Sequence, residues 1–254
     1  MKLSAIVITK DEERVIERCL RSLAFCDEIL VIDSGSTDRT AELARACGAT
    51  VHVHADWQGF AVQRNRGLAV ARGEWTLMVD ADEWVPERLR QQVLRAVQDP
   101  QHAAYRMPRL SSYCGQFMRH GGWWPDHITR LMRTAKARYE GTVHERALID
   151  GSIGTLTEPL LHESFRDFEQ VLRKMNAYST SNAEQMVRAG KTGSLAAALG
   201  HGLWTFIRSY VLRAGFLDGK LGLMLAISNA EGSYYKQVKA MLLTRGERQL
   251  QPPE

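Results

Sequence analysis

The stretch TLMVDADEW, Thr76–Trp84, joins an apolar run to a cluster of acidic residues. The apolar half has the composition of a strand that is buried on both faces of a parallel sheet. The acidic half contains Asp80, Asp82 and Glu83, and like charges this close repel each other unless a cation or hydrogen-bond donors offset them. The stretch is therefore either a solvated turn after a core strand or part of a ligand site.

Strand and helix patterns alternate on the N-terminal side of this stretch and continue just beyond it. Apolar or alternating runs predict strands at 3–9, 28–33, 49–54 and 74–79. Helical periodicity predicts one helix after Asp11, with Glu12 and Glu13 in its first turn, and further helices before Gly48, at 60–72 and at 87–98. This alternation predicts an α/β domain with right-handed crossovers, whose ligands bind beyond the carboxyl ends of the strands.

Polar residues follow three of the four predicted strands. Lys10, Asp11 and Glu12 follow the first, Asp33 ends the second, and the acidic cluster follows the fourth. The chain has no GxGxxG after a strand and no GxxxxGK[ST], which argues against a dinucleotide fold of the Rossmann type and against a P-loop. A nucleotide site built on acids needs a metal ion to approach phosphates. On an extended segment, Asp80 and Asp82 would face one Mg²⁺ or Mn²⁺ together.

Five segments carry motifs in a fixed order: IVITKDEE, EILVIDSGSTDRT, GFAVQRNRGLAVARGEWTLMVDADEW, GGWWPDHITRLMR and YEGTVHE. Together they resemble family 2 glycosyltransferases of the GT-A fold and, within them, are similar to bacterial lipopolysaccharide inner-core glucosyltransferases that add glucose to a heptose. The resemblance extends from Leu3 to about Tyr235. It implies a GT-A (Rossmann-like) nucleotide-diphospho-sugar transferase domain over 1–165 and a C-terminal helical, membrane-interfacial extension over 166–254.

The resemblance assigns a donor site to the strand ends. Thr9 and Glu12 would border the uracil and ribose of a UDP-sugar. Asp33 would accept hydrogen bonds from the base or the ribose, and Arg64 would lie near the nucleotide. The family motif after the first strand ends in Asn-Glu, whereas this chain has Lys10-Asp11-Glu12, which leaves the contacts of Lys10 and Asp11 open.

The same resemblance places a metal ion at the DxD element. Asp80 would lie near the ribose and the metal, and Asp82 would bind the metal that bridges the diphosphate. His144 or His162 could add a third ligand or contact the diphosphate, although a lone histidine is more often structural.

Asp126, in WWPDHITRLMR, matches the position of the catalytic base. A carboxylate there would deprotonate the acceptor hydroxyl and give an inverted product. The alternative is a capping or turn aspartate after Pro125, and Glu140 and Glu145 are the reserve bases.

Arg130 and Arg133 follow the base position. Their guanidinium groups either bind a phosphate of the donor or acceptor, or form a solvated basic face. Trp123 and Trp124 either stack on a sugar ring or pack in the core.

The charge is concentrated in the C-terminal part of the chain. Residues 1–190 contain 25 Lys+Arg and 25 Asp+Glu, whereas residues 191–254 contain 8 and 4, which accounts for the net +4. The apolar, aromatic and basic composition of 194–243 predicts helices in a membrane interface, the alternative being a helical cap or an oligomer interface. Glycine interruptions disfavour a spanning helix, and no uncharged run reaches the ~20 residues that one needs.

We therefore expect a peripheral protein on the cytoplasmic face of the bacterial inner membrane. Four cysteines without CxxC pairing and an N-terminus without a signal-peptide pattern agree with this. The expected partners are a UDP-sugar, a lipopolysaccharide core acceptor and the membrane surface, but no nucleic acid. Alternatives are the same chemistry on a polyprenyl phosphate or a capsule precursor, and a non-enzymatic membrane-associated scaffold.

Overall fold

The structure is a computed structural model that describes residues 1–141 and 145–245. These residues form two compact units. The first contains Met1–Leu110 and Pro125–Glu163, and the second contains Ser111–Trp124 and the chain from Ser164 onward. The units differ from the predicted domains 1–165 and 166–254 because Ser111–Trp124 packs with the C-terminal helices.

The parallel part of the sheet follows the predicted alternation of strands and helices. Residues 3–98 contain, in chain order, β1 (Leu3–Thr9), α1 (Ile16–Ser22), β2 (Glu28–Asp33), α2 (Thr40–Ala46), β3 (Thr50–Val53), α3 (Phe60–Val70), β4 (Trp75–Asp80), β5 (Glu83–Trp84) and α4 (Glu87–Gln98). β3, β2, β1 and β4 are neighbours in this order and run parallel. The four predicted strands are confirmed, with bounds that differ by at most one residue, and the helix at 87–98 is confirmed in full.

Antiparallel strands extend the sheet beyond β4 in the order β8-β6-β12-β5. The remaining strands are β6 (Ala104–Tyr113), β7 (Gln116–Phe117), β8 (Asp126–Arg133), β9 (Ala137–Glu140), β10 (Arg146–Ile149), β11 (Ile153–Thr155) and β12 (Leu160–Phe165). β8 pairs with β4 on one side and with β6 on the other. The α/β fold is thus of the GT-A type, with a mixed sheet.

Alternate residues of the parallel strands enter two cores, one on each face of the sheet. Ala5 and Val7 of β1 pack with α1 and α4, whereas Ile6 and Ile8 pack with Ala61 of α3. Successive side chains of a strand point to opposite faces, so a strand covered on both faces is apolar throughout. This explains why all seven residues of β1 are buried.

The first helix begins later than the sequence predicts. α1 starts at Ile16, and Asp11 has a φ of 53° in the left-handed region. The backbone amides of Asp11, Glu12 and Glu13 donate to Ser36 Oγ, Thr40 Oγ1 and Asp38 Oδ2 respectively, at 2.8–3.1 Å. These donors are satisfied by a distant loop, which takes the place of a first helical turn.

The second unit is mainly helical. Its helices are α5 (Phe168–Arg188), α6 (Leu195–Phe206), a π-helix (Ile207–Leu212), a 3₁₀-helix (Gly215–Asp218) and α7 (Gly219–Arg245). Asp167 and Ser194 cap α5 and α6 through their side chains. No helix among the described residues is both long enough and apolar enough to cross a bilayer.

Candidate functional site

The carboxyl ends of three parallel strands meet at one edge of the sheet. Thr9 lies opposite Asp33 in the β1–β2 register, and Ile8 lies opposite Asp80 in the β1–β4 register. The predicted convergence of the polar residues that end these strands is therefore confirmed. Ligands of open α/β sheets bind at such edges.

Asp80 is held between two buried arginines. Arg64 Nη2 donates to Asp80 Oδ1 at 2.8 Å, and Arg130 Nη2 donates to Asp80 Oδ2 at 2.5 Å. The side chain of Arg64 is only 3% exposed and that of Arg130 only 6%. Burial alone would raise the pKa of Asp80, but Arg130 and Arg64 outweigh it and hold this pKa well below its usual range.

Glu83 continues this network and is fully buried. Its Oε2 accepts the backbone N–H of Asp80 at 2.9 Å. Its Oε1 accepts from Arg130 Nη2 at 2.9 Å and from Arg109 Nη1 at 3.4 Å. Burial alone would lower the pKa of Arg130, but Asp80 and Glu83 raise it, so this guanidinium stays charged.

Arg109 connects the network to Asp126. Its Nε and Nη2 donate to Asp126 Oδ2 at 3.0 and 2.7 Å, and the two residues lie directly opposite each other on β6 and β8. A continuous series of ion pairs therefore runs from Arg64 at the DxD element to the predicted base.

Asp82 has a different environment from Asp80. β4 ends at Asp80, and Ala81 and Asp82 form a turn. The prediction that both carboxylates face the same way from an extended segment is therefore wrong. Asp82 Oδ2 lies 3.3 Å from His162 Nε2, and the Asp82 side chain is 22% exposed.

A divalent cation fits Asp82 better than Asp80. Both oxygens of Asp80 bind guanidinium groups, whereas Asp82 and the imidazole of His162 are neighbouring oxygen and nitrogen donors. Mg²⁺ commonly takes one or two protein carboxylates and completes its shell with phosphate and water. Within 1–141 and 145–245 no three His, Cys, Asp or Glu residues cluster as a metal site. His144, the predicted third ligand, lies outside the described residues.

The sequence places the chain in a known family. The profile of glycosyl transferase family 2 matches residues 4–149. The chain is 30% identical over 257 residues to the lipopolysaccharide core biosynthesis glycosyltransferase LpsC of Rhizobium meliloti, covering 93% of each protein. The chain belongs to glycosyl transferase family 2. It is thus an enzyme that transfers a sugar from a nucleotide-sugar donor.

Two further proteins are similar to this family 2 glycosyltransferase. It is 28% identical over 232 residues to an uncharacterized glycosyltransferase of Rickettsia bellii, covering 86% of this chain and 79% of that protein. Among solved structures, TarS of S. aureus superposes with a TM-score of 0.49 at 18% identity, covering 94% of this chain and 55% of that one.

The donor-site residues that the resemblance assigned in this family 2 enzyme lie at the same sheet edge. The oxygens of Asp33 bind the backbone N–H of Ser36, at 3.0 Å, and the Ser36 hydroxyl. Asp33 therefore shapes the loop after β2, and its contact with a base or ribose stays a prediction. Thr9 Oγ1 is buried and has no partner among the described residues. Glu12 anchors its segment through its backbone amide, which donates to Thr40 Oγ1 at 2.8 Å.

Arg133 is not brought to this site. It lies opposite Trp75 at the start of β4, whereas Asp80 ends that strand. Its guanidinium binds Glu74 and lies 4.9 Å from the centroid of the Trp75 ring. The prediction of a phosphate clamp is therefore wrong for Arg133, while Arg130 does reach the site.

Of the two reserve bases, one lies at the site and the other does not, and the two tryptophans have different surroundings. Glu145 Oε1 lies 3.4 Å from Arg64 Nη2 and so borders the network, whereas Glu140 pairs with Arg146 at 2.5 Å. Trp123 packs against Tyr113 and Phe165 in the core of the second unit, which agrees with the core interpretation. The Trp124 ring lies 5.8 Å from the Arg119 guanidinium.

Sequence analysis of this family 2 glycosyltransferase missed two residues of the network. In the sequence, Glu83 is only a third like charge beside Asp80 and Asp82, and no motif includes Arg109. The strand AYRMPRLSSY carries two arginines, of which Arg106 is exposed and Arg109 is partly buried. A charge that is buried in a strand needs a partner, but the sequence reveals neither which arginine is buried nor which residue pairs with it.

Proposed function

We propose that this family 2 glycosyltransferase is an inverting, metal-dependent enzyme that transfers glucose from UDP-glucose to a heptose of the lipopolysaccharide inner core. The observation that carries the proposal is the similarity to LpsC, a lipopolysaccharide core biosynthesis glycosyltransferase, over 93% of both chains. This similarity extends beyond residues 4–149, which the family profile matches, into the C-terminal part of the chain.

Asp126 is the proposed general base. Its Oδ2 is held by Arg109, while Oδ1 accepts no hydrogen bond from any described residue, and the side chain is 43% exposed. Oδ1 would take the proton of the acceptor hydroxyl as that oxygen bonds to the anomeric carbon. The bond from this carbon to the diphosphate breaks on the opposite face, so an α-linked donor gives a β-linked product.

The arginines at Asp80 favour an anionic donor. Arg64 Nε and Nη1 and Arg130 Nε are buried N–H groups that have no partner among the described residues. Guanidinium N–H groups without a partner suit the oxygens of a diphosphate, which accept hydrogen bonds from such donors. A bound Mg²⁺ or Mn²⁺, held by Asp82 with His162 beside it, would neutralise the charge that develops on the departing diphosphate.

Exposed apolar side chains of the second unit support attachment to the cytoplasmic face of the bacterial inner membrane. The large apolar residues exposed on α6, on the two short helices and on the start of α7 are Leu195, Leu199, Leu203, Trp204, Val211, Leu212, Phe216, Leu217, Leu223, Met224 and Ile227. We call these residues the apolar face. The exposed charges between 191 and 226 are Lys191, Arg208, Arg213 and Lys220, while Asp218 is buried. Apolar residues flanked by cations suit an anionic bilayer surface.

The test of the activity uses the purified protein, UDP-[¹⁴C]glucose and lipopolysaccharide that ends at the inner-core heptose. We expect label in the lipopolysaccharide, loss of transfer in EDTA and in Asp126→Asn, and recovery after addition of excess Mn²⁺ to the EDTA-treated enzyme. Transfer to a polyprenyl phosphate but not to the heptose would contradict the acceptor. Full activity in EDTA would contradict the metal requirement.

The test of attachment is sedimentation with vesicles of phosphatidylglycerol and phosphatidylethanolamine. Leu203→Glu and Leu217→Glu should reduce the bound fraction. The matched control is Tyr178→Glu on α5, because this side chain is about equally exposed but lies outside the apolar face. Equal binding of all four proteins would contradict the proposal.

A further inference from the structure

Arg109 restrains the proposed base through two hydrogen bonds to one oxygen. Its Nε and Nη2 donate to Asp126 Oδ2 at 3.0 and 2.7 Å from the facing position of the neighbouring strand. Two donors in the fixed plane of a guanidinium limit rotation of the carboxylate. This leaves Oδ1, which has no donor among the described residues, as the oxygen that meets the acceptor.

Glu83 in turn restrains Arg109. The third nitrogen, Nη1, lies 3.4 Å from Glu83 Oε1. Glu83 is fully buried and also accepts from Arg130 and from the backbone of Asp80, so its carboxylate has one available position. Arg109 is thus held at both ends, and the negative charge of Glu83 offsets its positive charge next to the base.

We propose that Arg109 is a positioning residue of the transfer reaction: it aims Asp126 at the acceptor hydroxyl, and Glu83 fixes Arg109 in place. The inference rests on the proposed function, because it requires Asp126 to be the base. Arg109 acts through Asp126, so its removal should slow the chemical step and leave donor binding nearly unchanged. Loss of correct aim by about 1 Å can cost about 100-fold in rate.

The experiment compares kcat and KM for UDP-glucose among variants of the full chain. Arg109→Ala should lower kcat about 100-fold, while KM changes less than about threefold. Arg109→Lys, which keeps the charge but loses the forked geometry, should retain part of the rate. The matched control is Arg106→Ala, because Arg106 lies on the same strand, is exposed, and its side chain donates to Thr155 Oγ1, away from Asp126. Its kcat should match that of the wild type.

Chemical rescue separates positioning from a purely structural role. Millimolar guanidinium should raise kcat of Arg109→Ala and should not raise that of Asp126→Asn. The double variant Arg109→Ala/Asp126→Asn should be no slower than Asp126→Asn alone, because both changes remove the same step. If Arg109→Ala unfolds, the kcat and KM of Arg109→Lys test the role, because loss of the forked geometry should lower kcat and leave KM nearly unchanged.

The outcomes also distinguish this inference from the proposed function. If Asp126→Asn is inactive while Arg109→Ala keeps the wild-type kcat or only raises KM, the positioning role is wrong and the proposed function stands. If Asp126→Asn keeps the wild-type kcat, the base assignment is wrong and the positioning role falls with it.

Discussion

The two aspartates of the DxD element differ in what holds them. Asp80 binds two buried guanidinium groups, and removing one member of a buried ion-pair network leaves its partners with less compensating charge. Asp82 is on a turn, is partly exposed and has only a nearby imidazole as its ion-pair partner in the described chain. We infer that Asp80 mainly organises the site, whereas Asp82 faces the donor.

Asparagine substitutions should separate these roles. Asp80→Asn should lower the free energy of unfolding by ~3–5 kcal/mol, because Arg64 and Arg130 lose their shared carboxylate. Asp82→Asn should change it by less than ~1 kcal/mol and still reduce sugar transfer at least ~100-fold. Urea unfolding and the transfer assay measure both, and equal stability losses in the two variants would contradict the distinction.

Glu28 gives the stability a defined pH dependence. Its carboxylate accepts from Ser4 Oγ at 2.7 Å and from the backbone N and Nε of Arg72 at 3.0 and 2.7 Å. Burial alone would raise the pKa of Glu28, but the hydrogen bonds from Arg72 and Ser4 outweigh it and lower this pKa below that of an unfolded glutamate. The stabilisation is therefore fully present above the unfolded pKa of about 4.3 and is lost as the pH falls through the folded pKa.

The Glu28→Gln variant tests this predicted pH dependence of the stability. The variant should be ~1–3 kcal/mol less stable than the wild type at pH 7, and the difference should shrink below about pH 4. Urea unfolding at pH 7, 5, 4 and 3 measures it. A difference that stays constant or grows towards pH 3 would show that the carboxylate is not stabilised by these hydrogen bonds.

At the scale of elements, α3 lies very close to the sheet. A Cβ added to Gly67 would lie 2.4 Å from Cγ2 of Ile6 in β1, so the helix reaches this distance only with glycine at the contact. The same helix carries Arg64, whose guanidinium reaches Asp80 at the end of β4. Close packing of α3 on the sheet therefore sets the position of an arginine of the site.

Gly67→Ala should destabilise the protein by ~1–3 kcal/mol, because overpacking outweighs the gain of about 1 kcal/mol that alanine usually brings to a helix. The matched control is Gly200→Ala on α6, where an added Cβ meets nothing within 4 Å. That change should be neutral or slightly stabilising. Thermal denaturation compares the two, and a Gly67→Ala protein as stable as Gly200→Ala would contradict the close packing.

At the scale of the whole molecule, each of the two compact units is built from two separate segments of the chain. Ser111–Trp124 precedes β8, β9 and β10 of the first unit but belongs to the second unit. Within that unit, Tyr113 and Met118 form a buried cluster with Val171 of α5 and Leu225 of α7. A boundary drawn once along the sequence therefore separates residues that form one core.

We therefore expect that a fragment of residues 1–165 does not fold as a stable, independent domain. It keeps Tyr113 and Met118 but lacks Val171 and Leu225, so apolar surface that is buried in the full chain becomes exposed. We expect binding of a hydrophobic dye and aggregation on size-exclusion chromatography. The matched control is 1–245, which keeps every residue that the structure describes, and a monodisperse 1–165 fragment without dye binding would contradict the prediction.

The sequence by itself determined the parallel strands, the helix Glu87–Gln98 and the family. Each depends on residues close together in the chain: apolar runs produce buried strands, proline precedes a helix start, and the ordered motifs carry the resemblance. The convergence of polar residues on one sheet edge also follows from local signals, because parallel strands align their carboxyl ends.

Only the tertiary structure decided which charges meet. Asp80 binds arginines that are 16 and 50 residues away in the sequence, and Glu83 contacts Arg109, which is 26 residues away. Arg130 reaches the site while Arg133, three positions later, lies at the far end of the strand. Such partners depend on the register of strand pairing and on how closely a helix packs on the sheet, and neither is encoded in the residues next to a charge.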